Sequence, residues 1–328
     1  MTVQDDQFAS FKLLNKALQA KGYRMSEMSH NPLVVSYESP TKKRWTTKAS
    51  FITYPFNSKY VQDVSVNKQE TYDFAVAYEF PTPYSKLVRT EPSDSISEAL
   101  LAEFGTVIVK PSNSSLSRGL TLNITTLETL KEAIKKAQQV SDTILVQQQV
   151  EGEELRFLVM NGKVEAVLLR QTARVVGDGI STIAKLIGEE NESRLQIKLE
   201  RITYPSLSEE IVDEALLTSE RIPIRGEIVE LNRSTMVRGG ASIYNVFPEV
   251  HKTYIKKVET LVQQLGAGFI VADVFCKDYT QPANDQNYWL IEFNTAPVLK
   301  LCYACRDGRQ FDVVSRLADQ IDLFLQQG

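Results

Sequence analysis

Apolar residues recur along this chain with two periods, 3.6 and 2, and the switches between them mark out its elements. Phe8, Phe11, Leu14 and Leu18 fall on one face of a predicted helix over residues 8–20, which Gly22 is placed to end. "PLVVSYES" (32–39) and "ASFITYPF" (49–56) read as strands, so residues 1–66 form a small α/β unit. "FPTPY" (80–84) is a proline-punctuated linker. "GTVIVKPSNSSLSRGLTLNI" (105–124) predicts strand, polar loop, strand. In the following "TTLETLKEAIKKAQQ", a capping box of Thr125 and Glu128 precedes a helical face of Leu127, Leu130, Ile134 and Ala137. "TILVQQQV" (143–150) is a strand, and "EELRFLVMNGKVEAVLLR" (153–170) is a hairpin turning at Asn161-Gly162. A helix ended by Gly266 feeds the strand "GFIVADVF" (268–275), and a last helix runs from about Phe311 to Leu325. Hairpins dominate the middle, which favours an α+β fold with antiparallel sheets over a doubly wound parallel one.

The net charge of −4 argues against non-specific nucleic-acid binding, although local basic patches remain open. The start, "MTVQDDQFASF", lacks a signal-peptide pattern, and no run of about 18 apolar residues predicts a membrane span. A cytoplasmic protein is expected, with no membrane partner. The three cysteines make no disulfide framework. "CYAC" (302–305) has metal-ligand spacing but would need two further ligands, and His30 and His251 are the only histidines. Reduced thiols are the simpler reading.

The chemistry starts at "YWLIEFNTAP" (288–297). Strand alternation puts Trp289, Ile291 and Phe293 on one face and Leu290, Glu292 and Asn294 on the other. Asp273 is the lone charge in the apolar "GFIVADVF", where an unpaired carboxylate is expensive. If the two strands are antiparallel neighbours, Asp273, Glu292 and Asn294 come within one ion's reach, and oxygen ligands suit Mg²⁺. The alternative is a polar cluster paired with Arg or Lys. Lys110 precedes a Ser/Asn/Gly segment that could offer N–H groups and hydroxyls to phosphates, although a plain hairpin with a polar loop would look the same. There is no GxxxxGK[ST]. Arg156 and Arg170 sit on paired strands, followed by "RVVGDG" (174–179), and such a row suits phosphate or carboxylate oxygens as well as a solvated face. "LNRSTMVRGGAS" (231–242) could close over a substrate or be an ordinary surface loop.

Taken in order, these pieces resemble the ATP-grasp superfamily, and most of all the ATP-grasp module of bifunctional glutathione synthetase and cyanophycin synthetase. "AVLLRQTARVVGDGISTIAKLIGEEN" (166–191) is similar to their R-x-x-A-x-VVGDG-x-x-TI-x-x-L segment, and "IPIRGEIVEL" and "WLIEFNTAP" follow in the same order. The resemblance covers roughly residues 67–328. It implies an N-terminal unit (1–66), a nucleotide lid subdomain (67–150) and an antiparallel-sheet core (151–328) with the metal and acyl-phosphate site. It also implies roles. Lys68 and Lys110 would neutralise ATP phosphates. The lid loop, with Ser114, Ser115, Ser117 and Gly119, would cover the γ-phosphate. The backbone of Gln147, Gln148 and Gln149 would hold the adenine edge, and Glu154 the ribose. Arg170 would face the transferring phosphoryl group. Asp273, Glu292 and Asn294 would hold two Mg²⁺ ions, with Mn²⁺ as a substitute. Arg156, Arg238, Gly239 and Gly240 would touch the acid or its acyl phosphate.

The activity implied is ADP-forming carboxylate–amine ligation on an amino acid or small peptide, with a homodimer common among such enzymes. A kinase without an amine acceptor and a nucleotide-binding regulatory protein are the competing readings. Four places depart from the family pattern. Asn67-Lys68 replaces Asp-Lys, Gln147 replaces an acidic residue, "VRGG" (237–240) replaces STGG, and "LCYACRDG" (301–308) replaces the H-x-Y-P segment. The last two fall on the acceptor side and concern the substrate rather than the reaction class.

Overall fold

The computed structural model describes residues 8–28, 30–89, 94–112, 119–197, 199 and 203–327. It opens with helix α1 (Ala9–Ala20), which buries Leu14 and Leu18 as its periodicity predicts. Strands β1 (Arg24–Met28), β2 (Asn31–Glu38) and β3 (Arg44–Lys48) then form an antiparallel sheet in that order. The third strand is therefore "RWTTK" and not "ASFITYPF". Trp45 and Thr47 alternate inward, whereas Ile52 and Tyr54 are buried on an unpaired segment that packs without a ladder.

Helices α2 (Lys59–Val66) and α3 (Lys68–Ala77) lead to β4 (Ser85–Val88), α4 (Asp94–Phe104), β5 (Val107–Pro111), β6 (Thr121–Ile124), α5 (Leu127–Gln138) and β7 (Ile144–Gln148). The four strands make an antiparallel sheet of order β4-β7-β5-β6. One face, with Val107, Val109 and Val146, packs under Leu130 and Ile134 of α5. The cap of α5 is Thr126 with Thr129, one residue on from the predicted Thr125 and Glu128. The Thr126 hydroxyl accepts from the Thr129 N–H, and the Thr129 hydroxyl accepts from the Thr126 N–H.

Strands β8 (Glu153–Met160) and β9 (Lys163–Gln171) form the predicted hairpin, with Asn161 and Gly162 both at positive φ (48° and 70°), as a tight two-residue turn requires. Next come β10 (Arg174–Val176), α6 (Ile183–Gln196), a one-turn α7 (Glu214–Leu217) and β11 (Ile228–Glu230), which pairs with β10. The chain finishes with β12 (Ser242–Asn245), α8 (Lys252–Leu265), β13 (Phe269–Cys276), β14 (Tyr288–Asn294) and α9 (Val313–Gln327). His251 is explained here without a metal: its Nδ1 accepts from the Thr253 N–H and caps α8. Cys276, Cys302 and Cys305 are buried free thiols.

The central sheet is antiparallel throughout, in the order β12-β9-β8-β13-β14. One face carries Phe157, Val167, Val274, Leu290 and Phe293 and packs on α8, α2 and α3. The other face carries Leu158, Leu168 and Val271 and packs on α1, α9 and the N-terminal sheet. Each fully buried side chain of this size contributes about 1.5–3 kcal/mol. This second face is apolar for only part of its length. Where the apolar cover ends, charged residues begin, and that edge positions the site.

Candidate active site

Cross-strand register builds the site. Glu154 stands opposite Arg170 on one side and Phe275 on the other, and Arg156 stands opposite Asp273, which stands opposite Glu292. Directly opposed residues in antiparallel strands share a face. Arg170, Glu154, Arg156, Asp273 and Glu292 therefore project together, with Asn294 next along β14. A register shift lets this happen. Asp273 and Val274 are adjacent in β13, yet they pair with Glu292 and Leu290, so Ile291 is an extra residue in β14. The bulge rotates Leu290 onto the face of Phe293, in the core, and leaves Glu292 and Asn294 facing the site. Simple alternation put Leu290 with Glu292, and the bulge corrects it.

Asp273 is buried and is gripped by Arg156, whose Nε donates to Oδ1 at 2.8 Å and Nη2 to Oδ2 at 2.7 Å. Asn294 Nδ2 donates to Asp273 Oδ2 at 2.9 Å and leans on Glu292 Oε1 at 3.4 Å. Glu292 is held loosely, with Lys68 Nζ 3.7 Å from its Oε2 and its side chain 31% exposed. Burial raises the Asp273 carboxyl to about 6, with Arg156 pulling it down and Glu292 and Glu154 pushing it up. Burial also pushes on Glu292, but the charges of Lys68, Lys110 and Arg156 outweigh it and hold this carboxyl below its ordinary value. Arg170 donates from Nη1 to Glu154 at 2.6 Å and from Nε to the Thr235 carbonyl at 2.9 Å, which ties the row to the glycine loop.

Lys68 lies at the first turn of α3, capped by Asn67, and its backbone N–H reaches the Ser112 carbonyl at the end of β5. Lys110 is buried on β5, where Nζ donates to Gln147 Oε1 at 2.8 Å. The Gln148 and Gln149 N–H groups are already given to the Tyr84 and Thr106 carbonyls. Gly119 has φ +75° and abuts Pro111, while Ser114, Ser115 and Ser117 lie outside the described residues.

Gly239 ends a short 3-10 turn, Val237–Gly239, and Gly240 follows at φ +90°. A Cβ on Gly240 would stand 2.8 Å from Ile211 Cγ2 and 2.9 Å from Leu207 Cδ2, so this position requires glycine on two counts. Arg238 is exposed, with Nη2 3.5 Å from the Met236 sulfur.

The loop is held from behind by residues that sequence reasoning did not single out. Arg194 of α6 donates to the Gly240 carbonyl at 2.7 Å and to Glu190 at 2.8 Å. Arg306 donates to the same Glu190 and to Ser242 Oγ, and both guanidiniums lie against the Tyr204 ring. An Arg in "ESRLQ" carries no signal that it reaches 46 residues ahead to a glycine carbonyl. Because Arg194 is buried, Arg194→Met should cost about 3 kcal/mol by stranding Glu190 and the Gly240 carbonyl. A urea melt would read this as a lower midpoint at constant slope.

Among the described residues, no group of three or more His, Cys, Asp or Glu is arranged to hold a metal ion. The set present is two carboxylates and an amide, and it fits a hard divalent cation. Mg²⁺ takes one or two carboxylates and fills its remaining positions with water and phosphate oxygens. Arg156 and Lys68 are the cationic partners of Asp273 and Glu292, as the polar-cluster alternative expects.

Comparison with known proteins bears on the fold. Residues 74–228 match the family model described as D-ala D-ala ligase C-terminus. The V. cholerae O1 D-alanyl-alanine synthetase A structure superposes with a TM-score of 0.56 at 13% identity, covering 99% of this chain and 95% of that one. The bifunctional glutathione synthetase of Pasteurella multocida gives 0.60 at 22% identity, covering 97% of this chain and 43% of that one. The chain has the ATP-grasp fold. The chain is 27% identical over 270 residues to cyanophycin synthetase of Trichormus variabilis, covering 79% of the chain and 29% of the relative. It is 28% identical over 247 residues to the glutathione biosynthesis bifunctional protein GshAB of Streptococcus agalactiae serotype V, covering 73% and 33%. It thus spans about a third of the length of these curated relatives. ATP-grasp ligases use ATP and divalent metal ions. No described helix is long and apolar enough to cross a membrane.

Proposed function

We propose that the protein is an ATP-dependent, ADP-forming ligase that joins the carboxylate of an amino acid or small peptide to an amine. One observation carries the reading: Arg156, Arg170, Glu154, Asp273, Glu292 and Asn294 share one face of the central sheet, and Lys68 of α3 and Lys110 of β5 act on Glu292 from outside it, four cations against three carboxylates. Their sum is one positive charge, so the site attracts an anion. A bare divalent cation would be held poorly, and a metal–nucleotide complex would be held well.

A carboxylate does not condense with an amine in neutral water because its oxygen is a poor leaving group. In the proposed reaction the carboxylate oxygen attacks the γ-phosphorus of ATP and ADP leaves. The amine then attacks the acyl carbon and phosphate leaves. Catalysis of the first step is mostly positioning and charge stabilisation. Lys68 and Lys110 would take the phosphates, Arg170 the transferring group, Glu154 the ribose through its second oxygen, and the loop of Arg238, Gly239 and Gly240 the acid. Asp273, Glu292 and Asn294 would hold a divalent metal, which would supply positive charge to offset that of the phosphates. With the Gln148 and Gln149 N–H groups committed within the sheet, an adenine edge would be read by other groups of that segment.

The deciding test is a coupled ADP-release screen of acids against amines with Mg²⁺, followed by mass analysis. Amine-dependent ADP release with a condensed product is expected. Amine-independent release with a stable phosphorylated product would make the protein a kinase instead.

Two binding results should accompany it. Calorimetry should find Mg²⁺ alone bound at least about tenfold more weakly than Mg²⁺ in the presence of a non-hydrolysable ATP analogue. The second concerns pH. Burial lowers Lys110 to about 8, with Glu292 pulling it up and Lys68 pushing it further down. A phosphate recognises the charged form and would restore its proton affinity toward the ordinary lysine value of about 10.4. Nucleotide binding should therefore take up a proton above pH 8, and affinity should fall by up to about tenfold per pH unit between about 8 and 10. Binding heats at pH 8.5 in buffers of different ionisation enthalpy would show the uptake, and Lys110→Arg should abolish it.

A further inference from the structure

The four-stranded sheet carries a second, smaller constellation on the face away from α5. Ser85 of β4 stands opposite Gln147 of β7, which stands opposite Ile108 of β5. Lys110, two residues on from Ile108, shares that face and is diagonal to Gln147. All three polar side chains are buried. Lys110 Nζ donates to Gln147 Oε1 at 2.8 Å, Gln147 Nε2 to Ser85 Oγ at 2.6 Å, and Ser85 Oγ to the Pro83 carbonyl at 3.0 Å.

The direction of this chain is forced from its far end. The Pro83 carbonyl can only accept, so it takes the single hydroxyl proton of Ser85. The hydroxyl must then accept from the Gln147 NH₂, and the amide oxygen is left facing the ammonium. An amide without Ser85 could rotate and present its NH₂ to Lys110, donor against donor. Beyond the Lys110 ammonium the chain carries no charge: Gln147, Ser85 and the Pro83 carbonyl are all neutral. The charged groups that act on Lys110 are Glu292 and Lys68, and Glu292 is shared with Lys68 at 3.7 Å.

We propose that Ser85 and Gln147 are positioning residues for ATP: a neutral relay, anchored on the Pro83 carbonyl, that holds the Lys110 ammonium ready for a nucleotide phosphate without cancelling its charge. This rests on the nucleotide-binding reading above. It also assigns work to the "FPTPY" segment, whose Pro81 carbonyl accepts from the Leu290 N–H of β14 while its Pro83 carbonyl orients the relay.

The test compares Gln147→Glu, Gln147→Leu, Ser85→Ala and Ser85→Thr with the full-length wild type. Lys110 is followed by NMR of protein labelled at lysine Cε, its signal assigned by its loss in Lys110→Arg. Steady-state ADP release gives KM and kcat for MgATP. A carboxylate at 147 favours the charged lysine and an alkyl group disfavours it, so the Lys110 titration midpoint should move up in the first variant and down in the second, by about one pH unit each. Gln147→Leu should also raise KM for MgATP by about tenfold with kcat within about threefold, by releasing the ammonium. Ser85→Ala should raise KM by about threefold, and Ser85→Thr, which keeps the hydroxyl, should restore it.

A residue that only stabilised the sheet would not shift one lysine in opposite directions. Midpoints that stay put or move together would overturn the relay, as would unchanged KM values in a wild type that binds ATP. A wild type that binds no nucleotide would instead overturn the reading of the site as an ATP site, and with it the purpose of the relay.

Discussion

Glu292→Gln should reduce ADP formation by about a thousandfold or more and leave the protein folded. The substitution keeps the side chain's size and removes only its charge. In the folded protein Glu292 has a long contact with Lys68 at 3.7 Å and a weak one with Asn294 at 3.4 Å. A partly exposed ion pair of this kind contributes about 0–1 kcal/mol, so the melting temperature should hardly move. What is lost is one of the two carboxylates that would face a metal–nucleotide complex. Coupled ADP assays and thermal melts on the same preparation separate the two effects. Wild-type turnover in the variant would remove Glu292 from the metal site and with it the main support for the ligase reading.

The elements that could be read from the chain are those whose pattern is local. "GFIVADVF" and "TILVQQQV" are buried strands because their apolar runs are short and bounded by turns. The Asn161-Gly162 hairpin is visible because two successive residues at positive φ select those residue types. Asp273 was legible as a candidate site residue for an energetic reason, the cost of a lone carboxylate in an apolar strand. Its partner was not. That Arg156 lies opposite Asp273 depends on the register of two strands whose facing residues are 117 apart in sequence. The same holds for the bulge at Ile291, which no local preference announces, and for the Ser85–Gln147–Lys110 chain, whose members come from three strands in an order the sequence does not follow.

The one error of element assignment, "ASFITYPF", has the same origin. Its Ile52 and Tyr54 are buried by the N-terminal sheet and the core without pairing, and burial alone does not distinguish a strand from an extended segment. The lid residues Ser114, Ser115 and Ser117 stay with the proposal, as do the three-part division of the chain and the roles at the acceptor side. The VVGDG segment is where resemblance and geometry meet most directly. Its helix α6 supplies Arg194, which fixes the glycine loop through the Gly240 carbonyl.

Asp273→Asn should behave differently from Glu292→Gln, although both remove a carboxylate charge from the same row. Arg156 is buried, and the two carboxylate oxygens of Asp273 are its bidentate partner. Removing one member of such a pair leaves a buried, uncompensated charge and costs about 3–5 kcal/mol. The fold should therefore be weakened along with activity, and lost turnover in this variant is not by itself evidence for a metal ligand.

The reciprocal variant, Arg156→Met, adds a pH dependence whose sign follows from linkage. Asp273 already sits at about 6 with Arg156 beside it, raised by burial and by Glu292 and Glu154. Without the guanidinium its proton affinity rises further, while the unfolded chain keeps the ordinary value of about 3.9. The folded variant then binds a proton that the unfolded chain releases, so its stability should fall as pH rises from about 5 to 8. Urea melts of wild type, Asp273→Asn and Arg156→Met at pH 5, 6.5 and 8 test this. A pair that contributes nothing would leave both variants within about 1 kcal/mol of wild type at every pH. A buried ion pair should instead show a large loss in Asp273→Asn and, in Arg156→Met, a loss that deepens toward pH 8.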